Sequence, residues 1–185
     1  QCCLVGSEMC IRDRLINISN ISMKHLILIR HGQSEWNQQK RFTGWVDVGL
    51  TDKGRAEAKK AGELIKEKKI KLDSFYSSYQ KRANDTLKII MKELNEDENL
   101  ITKKWQLNER HYGELTGLNK EDMKKKYGEE KIHQFRRSWD VKPGALDRKS
   151  PYHPLNIETY KDIPVSDIPD TVSYTHLRAH ETTLD

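Results

Sequence analysis

Arg30, His31 and Gly32 stand together in the chain, preceded by a short apolar run and followed by Ser34, Glu35, Trp36 and Asn37. A neutral imidazole can attack phosphorus through one ring nitrogen while a hydrogen bond to the other fixes the tautomer. Arginine offers a planar fork that matches phosphate oxygens, and glycine frees the backbone to approach an anion. The chemistry these types could do is phosphoryl transfer through a nucleophilic histidine. An isolated Arg-His-Gly triplet describes a structural loop equally well, and it is the apolar run before it and the polar residues after it that favour a site.

The elements that must position this triplet can be read from periodicity. Leu26, Ile27, Leu28 and Ile29 form a continuous apolar run bounded by charge and then glycine, which predicts a buried parallel strand. Arg30 to Gly32 would then sit at its carboxyl end, where open α/β sheets place their ligand sites. Thr51 is placed to cap a helix in which Ala58, Ala61, Gly62 and Ile65 recur at helical spacing, the small residues allowing close approach to a sheet. Residues 72–76 predict a second strand. A second helix from about Gln80 carries Ala83, Leu87, Ile90, Met91 and Leu94 on one face. This β-α-β-α order predicts an α/β fold with a mostly parallel sheet. Residues 105–139 hold two highly charged helical stretches, 119–127 and 129–139, with few residues for a core, and Pro143, Pro151, Pro154, Pro164 and Pro169 mark a loop beyond them.

Composition narrows the partners. Hydrophobic residues make up 35% and charged residues 33% of 185, with a mean hydropathy of -0.87, which is thin material for a core. A net charge of +5 suits an anionic partner: nucleic acid, a membrane surface or a small phosphorylated metabolite. The basic residues are interspersed with Asp and Glu without a basic block, so solvated helix faces account for most of them and nucleic acid ranks last. Cys2, Cys3 and Cys10 are the three cysteines, so the body has no disulfide framework or thiolate metal site and reads as cytoplasmic. It shows no paired histidines at metal-binding spacing, no membrane-length apolar run and no secretory signal.

RHGQSEWN at 30–37 resembles the signature of the histidine phosphatase superfamily. The resemblance continues in RFTGWVDVGLTDKG at 41–54, KRA at 81–83, LNERHYGELTGLNK at 107–120 and FRRSW at 135–139. NERHYG with its following LNK, and the paired arginines, are similar to the cofactor-dependent phosphoglycerate mutases of that superfamily. The match runs over residues 23–171. It implies a three-layer phosphoglycerate-mutase-like α/β fold with a mostly parallel central sheet, incomplete in this chain. It also implies interconversion of 3-phosphoglycerate and 2-phosphoglycerate through a phosphorylated His31, primed by 2,3-bisphosphoglycerate without a metal. The partners it implies are small phosphorylated metabolites, not nucleic acid or membrane, and a homo-oligomer is open. Residue by residue, the resemblance makes Arg30, His31 and Arg82 the phosphate pocket, lined by Gly32, Gln33, Ser34, Glu35, Trp36, Asn37, Thr43 and Gly44. Glu109 becomes the proton donor and acceptor. Arg110, Tyr112, Lys120, Arg136 and Arg137 fall on positions that hold the substrate's carboxylate and second phosphate. His111 is counted with the substrate-binding residues; as catalytic candidates it and His133 are bystanders, and His25, His153, His176 and His180 lack context.

Each assignment has a plainer alternative. Arg82 could be a solvated helix residue, although its place in the first turn adds the positive potential of N-terminal amides. Glu109 could be a salt bridge to Arg110. Neighbouring arginines favour its ionised form, so a bound phosphate that cancels their field is expected to let it hold a proton. The basic set could be solvated too, but a second anion site favours a mutase over a phosphatase, which needs one pocket. The rivals are a phosphatase of the same superfamily and a non-catalytic phosphate-binding remnant. CLVGSEMCIRDR at 3–14 and VSYTHLRAHET at 172–182 resemble translated sequencing-adapter read-through. Residues 1–22 and 172–185 are therefore expected to be an artefactual leader and tail around a partial domain at 23–171. The family's second pocket histidine, followed by glycine, has no match after Val172, so this chain is expected to fold poorly and turn over little.

Overall fold

The computed structural model describes residues 25–138 and 140–171, together with the backbone of two short strands, β1 (Cys2–Val5) and β2 (Met9–Arg12). These two pair antiparallel, Cys2 opposite Arg12. Beyond them, the expected leader and the whole expected tail lie outside the described residues, as does Trp139 of the FRRSW motif.

The predicted first strand is not formed. Residues 25–33 run outside any helix or ladder. Ile27 and Ile29 pack against Ala61, Ile65 and Ile90, while Leu26 and Leu28 are 66% and 54% exposed. An apolar run is a buried strand only when both faces are covered and a neighbour completes its ladder. Here alternate residues meet a core on one side, and among the described residues no strand pairs with the segment.

Ser34 then starts the single-turn helix α1 (Glu35–Gln38) through a capping box, its hydroxyl and the Asn37 side chain each meeting the other's backbone amide. Thr51 caps α2 (Asp52–Glu67) by accepting from the Gly54 amide, and Ala58, Ala61, Gly62 and Ile65 form its buried face as the spacing predicts. Gly62, however, meets another helix rather than a sheet: a Cβ there would stand 2.8 Å from the Glu93 Cβ and 3.2 Å from the Ile90 Cα. Those residues belong to α3 (Lys81–Leu94). Between the helices, β3 (Phe75–Ser77) pairs parallel with β4 (Ile101–Lys103), Phe75 opposite Ile101. The second predicted strand thus forms slightly later than 72–76. On α3 the buried positions are Arg82, Asn84, Thr86, Ile90 and Met91, whereas Ala83, Leu87 and Leu94 are half-buried. The helix turns a polar first half inward, and that half reaches the site.

The charged region does build a core. α4 (Lys120–Tyr127) and α5 (Glu129–Arg137) match the two predicted stretches. Ile132 and Phe135 of α5 pack with Phe42 and Leu115. The proline-rich segment is a series of short 3-10 turns, as a loop reading predicts, yet it buries Tyr160 and Ile163 against Trp45. The Tyr160 hydroxyl donates to the Trp45 carbonyl at 2.6 Å. Aromatic side chains spaced far apart in sequence supply the apolar area that composition alone understates.

Candidate active site

His31 follows the extended segment and is held at both ring nitrogens. Nδ1 lies 2.7 Å from the Gly32 carbonyl, an obligate acceptor, so Nδ1 carries the hydrogen and Nε2 presents its lone pair. That lone pair accepts from Arg82 Nε at 3.2 Å. Burial, then the Arg82 charge, lowers the His31 pKa from 6.5 to about 4, against the opposing field of Glu109. At neutral pH the ring is therefore an uncharged base with a defined tautomer, the form that can act as a nucleophile.

The loop carrying His31 is pinned to the two long helices. Gly32 N donates to Thr86 Oγ1 of α3 at 3.1 Å, and Gln33 N donates to Glu57 Oε2 of α2 at 2.9 Å. Gly32 and Gly54 face each other so closely that a Cβ on Gly32 would stand 2.2 Å from the Gly54 carbonyl oxygen. The sequence reading assigned Gly32's lack of a side chain to the approach of an anion; the structure uses it to seat the loop on the first turn of α2.

Arg82 is fully buried. Nη1 donates to the Val46 carbonyl at 3.0 Å, and Nη2 lies 2.8 Å from the Gly44 carbonyl, 3.0 Å from Gln80 Oε1 and 2.9 Å from Glu109 Oε2. The ion partner of Glu109 is thus Arg82 rather than Arg110. Glu109 is 37% exposed at its side chain, and Tyr112 Oη stands 3.5 Å from its Oε1. A neutral imidazole, a buried guanidinium and a half-exposed carboxylate therefore meet at one point, from segments 27 and 51 residues apart.

The remaining expected residues divide in two. Thr43 is buried with its hydroxyl unpartnered, and Gly44, at φ +55°, turns its carbonyl onto Arg82. Ser34 and Asn37 are engaged in the capping box, and Gln33 bonds Thr51 through its carboxamide oxygen. Trp36 lies in a core cluster with Val46 and Val48. Arg30 and Glu35 are exposed, Arg30 adding a small lowering of the His31 pKa. Around Phe42 a second group assembles: its ring is 5.2 Å from that of Tyr112, and Lys120 Nζ lies 5.9 Å from its centroid. Arg110 stacks over Tyr112 at 5.6 Å and donates to the Arg136 carbonyl at 2.9 Å. Arg137 and His133 are exposed.

Two contributors to the site, Thr86 and Gln80, and one buried histidine outside it escaped the sequence reading. Thr86 lies one helical turn from Arg82, a spacing that marks a polar stripe on one face of α3 and could have revealed it. Gln80 directly precedes the KRA motif but carries no motif signal of its own. His153, with no context in sequence, is fully buried, with Nε2 3.0 Å from Asp170 Oδ1 and its ring 6.4 Å from that of His111.

Comparison with known proteins identifies the family. The Histidine phosphatase superfamily (branch 1) matches residues 26–153. The chain belongs to the histidine phosphatase superfamily. Among curated relatives it is 67% identical over 151 residues to a 2,3-bisphosphoglycerate-dependent phosphoglycerate mutase of Pelagibacter ubique, covering 82% of this chain and 63% of that protein. A protein of the same description from Bacteroides fragilis is 47% identical over 151 residues, covering 82% and 61%. Another, from Borreliella burgdorferi, is 50% identical over 149 residues, covering 80% and 60%. The chain thus spans about three fifths of the length of the curated relatives it matches. Solved structures share the fold: a mycobacterial hydrolase at TM-score 0.54 and 24% identity, covering 61% of this chain and 50% of that one, and a mycobacterial glucosyl-3-phosphoglycerate phosphatase complexed with VO3 at TM-score 0.53 and 24% identity, covering 61% and 53%. The fold is phosphoglycerate-mutase-like α/β, with a small parallel sheet among helices. Among the described residues, no helix is long and apolar enough to cross a membrane.

Proposed function

We propose that this chain supplies the phosphohistidine centre of a cytoplasmic, glycolytic phosphoglycerate mutase, interconverting 3-phosphoglycerate and 2-phosphoglycerate. The observation that carries the reading is the neutral His31 ring with its Nε2 lone pair against Arg82 and Glu109 on the same guanidinium. Arg82 Nε occupies that lone pair. A phosphoryl group entering between them takes over the arginine's donors and meets Nε2 in line. The Nε2–P bond then forms as the P–O bond breaks, Arg82 and Thr43 carry the charge on the equatorial oxygens, and Glu109 gives its proton to the departing hydroxyl oxygen. By the reverse step the phosphoryl on His31 passes to the free hydroxyl of 3-phosphoglycerate while Glu109 takes that hydroxyl's proton, and His31 then accepts the original phosphoryl of the bisphosphorylated intermediate as Glu109 returns the proton.

A bisphosphorylated ligand needs two anion sites. The buried, unpartnered hydroxyl of Thr43, next in the chain to the Gly44 whose carbonyl meets Arg82, suits one, and the Arg110, Tyr112, Lys120 and Arg136 group around Phe42 suits the other. When bound, 2,3-bisphosphoglycerate supplies the phosphoryl group that charges His31. The chain's own basic groups account for binding it without nucleic acid or membrane as a partner.

The half-exposed Glu109 favours a second reading, hydrolysis, because water can reach a carboxylate placed to activate it. The test supplies 3-phosphoglycerate with a trace of 2,3-bisphosphoglycerate and follows 2-phosphoglycerate, inorganic phosphate and phosphohistidine on His31 together. Isomerisation faster than phosphate release is the expected result. Phosphate release faster than isomerisation identifies the phosphatase, and the absence of any phosphohistidine overturns both.

A further inference from the structure

We propose that Gln80 is a positioning residue of the His31 site, its neutral carboxamide holding Arg82 over the imidazole while leaving the guanidinium charge available to a phosphoryl group. The side chain is buried at 2% exposure. Oε1 lies 3.0 Å from Arg82 Nη2 and receives the Glu109 amide at 3.4 Å. Nε2 donates at 2.9 Å to the Gly44 carbonyl, the same oxygen that Arg82 Nη2 meets at 2.8 Å. One carboxamide thus joins the arginine, the backbone of the carboxylate residue and the Gly44 turn.

Its position on the helix points the same way. Gln80 is the N-cap residue of α3, yet its side chain makes no capping hydrogen bond. The first amide of the helix, Lys81 N, is taken instead by Asp47 Oδ1. With that capping duty on Asp47, the Gln80 side chain is committed to the site.

Arg82 Nη2 has two hydrogens and three acceptors within reach: the Gly44 carbonyl, Gln80 Oε1 and Glu109 Oε2. Glu109 is the partner that must leave when it holds a proton or when a phosphoryl group enters. Two neutral acceptors then remain for two hydrogens, so the guanidinium keeps its place. A carboxylate at position 80 would hold Arg82 but cancel its charge, and an apolar side chain would do neither. The amide holds the arginine and leaves its charge available.

The proposal rests on the reading of His31 as phosphoryl acceptor, and its test separates the two. The His31 ring is followed by NMR as pH falls past 4, without and then with inorganic phosphate, in the unsubstituted chain and in Gln80→Met and Gln80→Glu. The charged groups facing His31 are Arg82, Glu109 and Arg30. Gln80→Met keeps length and volume but lets Arg82 follow Glu109, so the His31 midpoint should rise from about 4 toward 6.5 and phosphate affinity fall about tenfold or more. Gln80→Glu retains an acceptor and adds negative charge, so the midpoint should rise again and phosphate affinity should fall further. A merely structural role would lower thermal stability without moving the His31 midpoint. Folded variants with the parent's midpoint and phosphate affinity would overturn the positioning role. If phosphate leaves His31 unperturbed in the unsubstituted chain, the phosphoryl-acceptor reading falls, while the phosphate-free titration still decides whether Gln80 places Arg82. Should one variant fail to fold, the other decides alone.

Discussion

Two histidines in this chain, His31 and His111, have the same lowered pKa and opposite prospects. Burial, as the largest cause, lowers both His31 and His111 to about 4. At His31 the next cause is an arginine whose Nε points at the ring, and a half-exposed carboxylate stands on the same guanidinium. At His111 the next cause is another histidine. That ring is fully buried, accepts from Gly113 N at 3.0 Å, and faces His153, which leans on Asp170 and through it on Arg148 at the surface. Desolvation alone therefore makes a neutral imidazole. What makes a phosphate site is a cation with hydrogens to give and a way in for the ligand.

The comparison can be broken most severely by exchange at the two rings. His31→Gln should abolish phosphohistidine formation and lower turnover by about 10³-fold or more, whereas His111→Gln should act on stability and leave phosphohistidine formation in the folded fraction intact. Equal loss of phosphoryl transfer in both variants would mean that accessibility does not separate them.

Acid should act on both rings alike. The unfolded rings take up protons near 6.5 and the folded ones resist until about 4, so the unfolded state binds more protons across that window and stability rises with pH through it. Stability is unaffected above 6.5 and should fall by roughly 3 kcal/mol per ring once pH reaches 4. Denaturant unfolding at pH 7 and pH 4 measures this, and each single histidine variant should remove about half of the loss. A flat profile would mean the rings are hydrated in solution.

Arg82→Met tests the cation directly by making the His31 site resemble that of His111. It strands the Val46 carbonyl and the Glu109 carboxylate, and should cost about 3 kcal/mol, at the low end for a broken ion pair because Glu109 is partly exposed. The His31 midpoint should move up because the Arg82 field that lowers it is gone. A smaller effect sharpens the role of the loop: Gly32→Ala forces a methyl against the Gly54 carbonyl and should cost about 1–3 kcal/mol in thermal or denaturant unfolding. It should also weaken phosphate binding, because His31 and Gly32 move together.

Much of the site was legible because its chemistry is local in sequence. His31, Arg82 and Glu109 lie in motifs whose family resemblance implies their roles, and the α2 and α3 spacings located the helices that carry or brace them. The apolar run at 26–29 misled because composition reports that residues are apolar and not whether both faces find cover. The charged region at 105–139 was read as poor in core and the prolines beyond it as loop, since Phe42 and Trp45, their partners, lie far away in the chain. Trp36 could not be told from a pocket residue until Val46 and Val48 were seen against it.

By itself, the sequence determined the family and the two long helices and singled out His31, Arg82 and Glu109 as candidates, because those follow from motif order, a 3.6-residue period and residue type. Only the tertiary structure decided that Glu109 pairs with Arg82, that Nδ1 of His31 holds the hydrogen, that Gly32 serves helix contact, and that Gln80 completes the cluster. Each of these is a contact between segments distant along the chain, and its strength depends on burial and on which donors remain unspent.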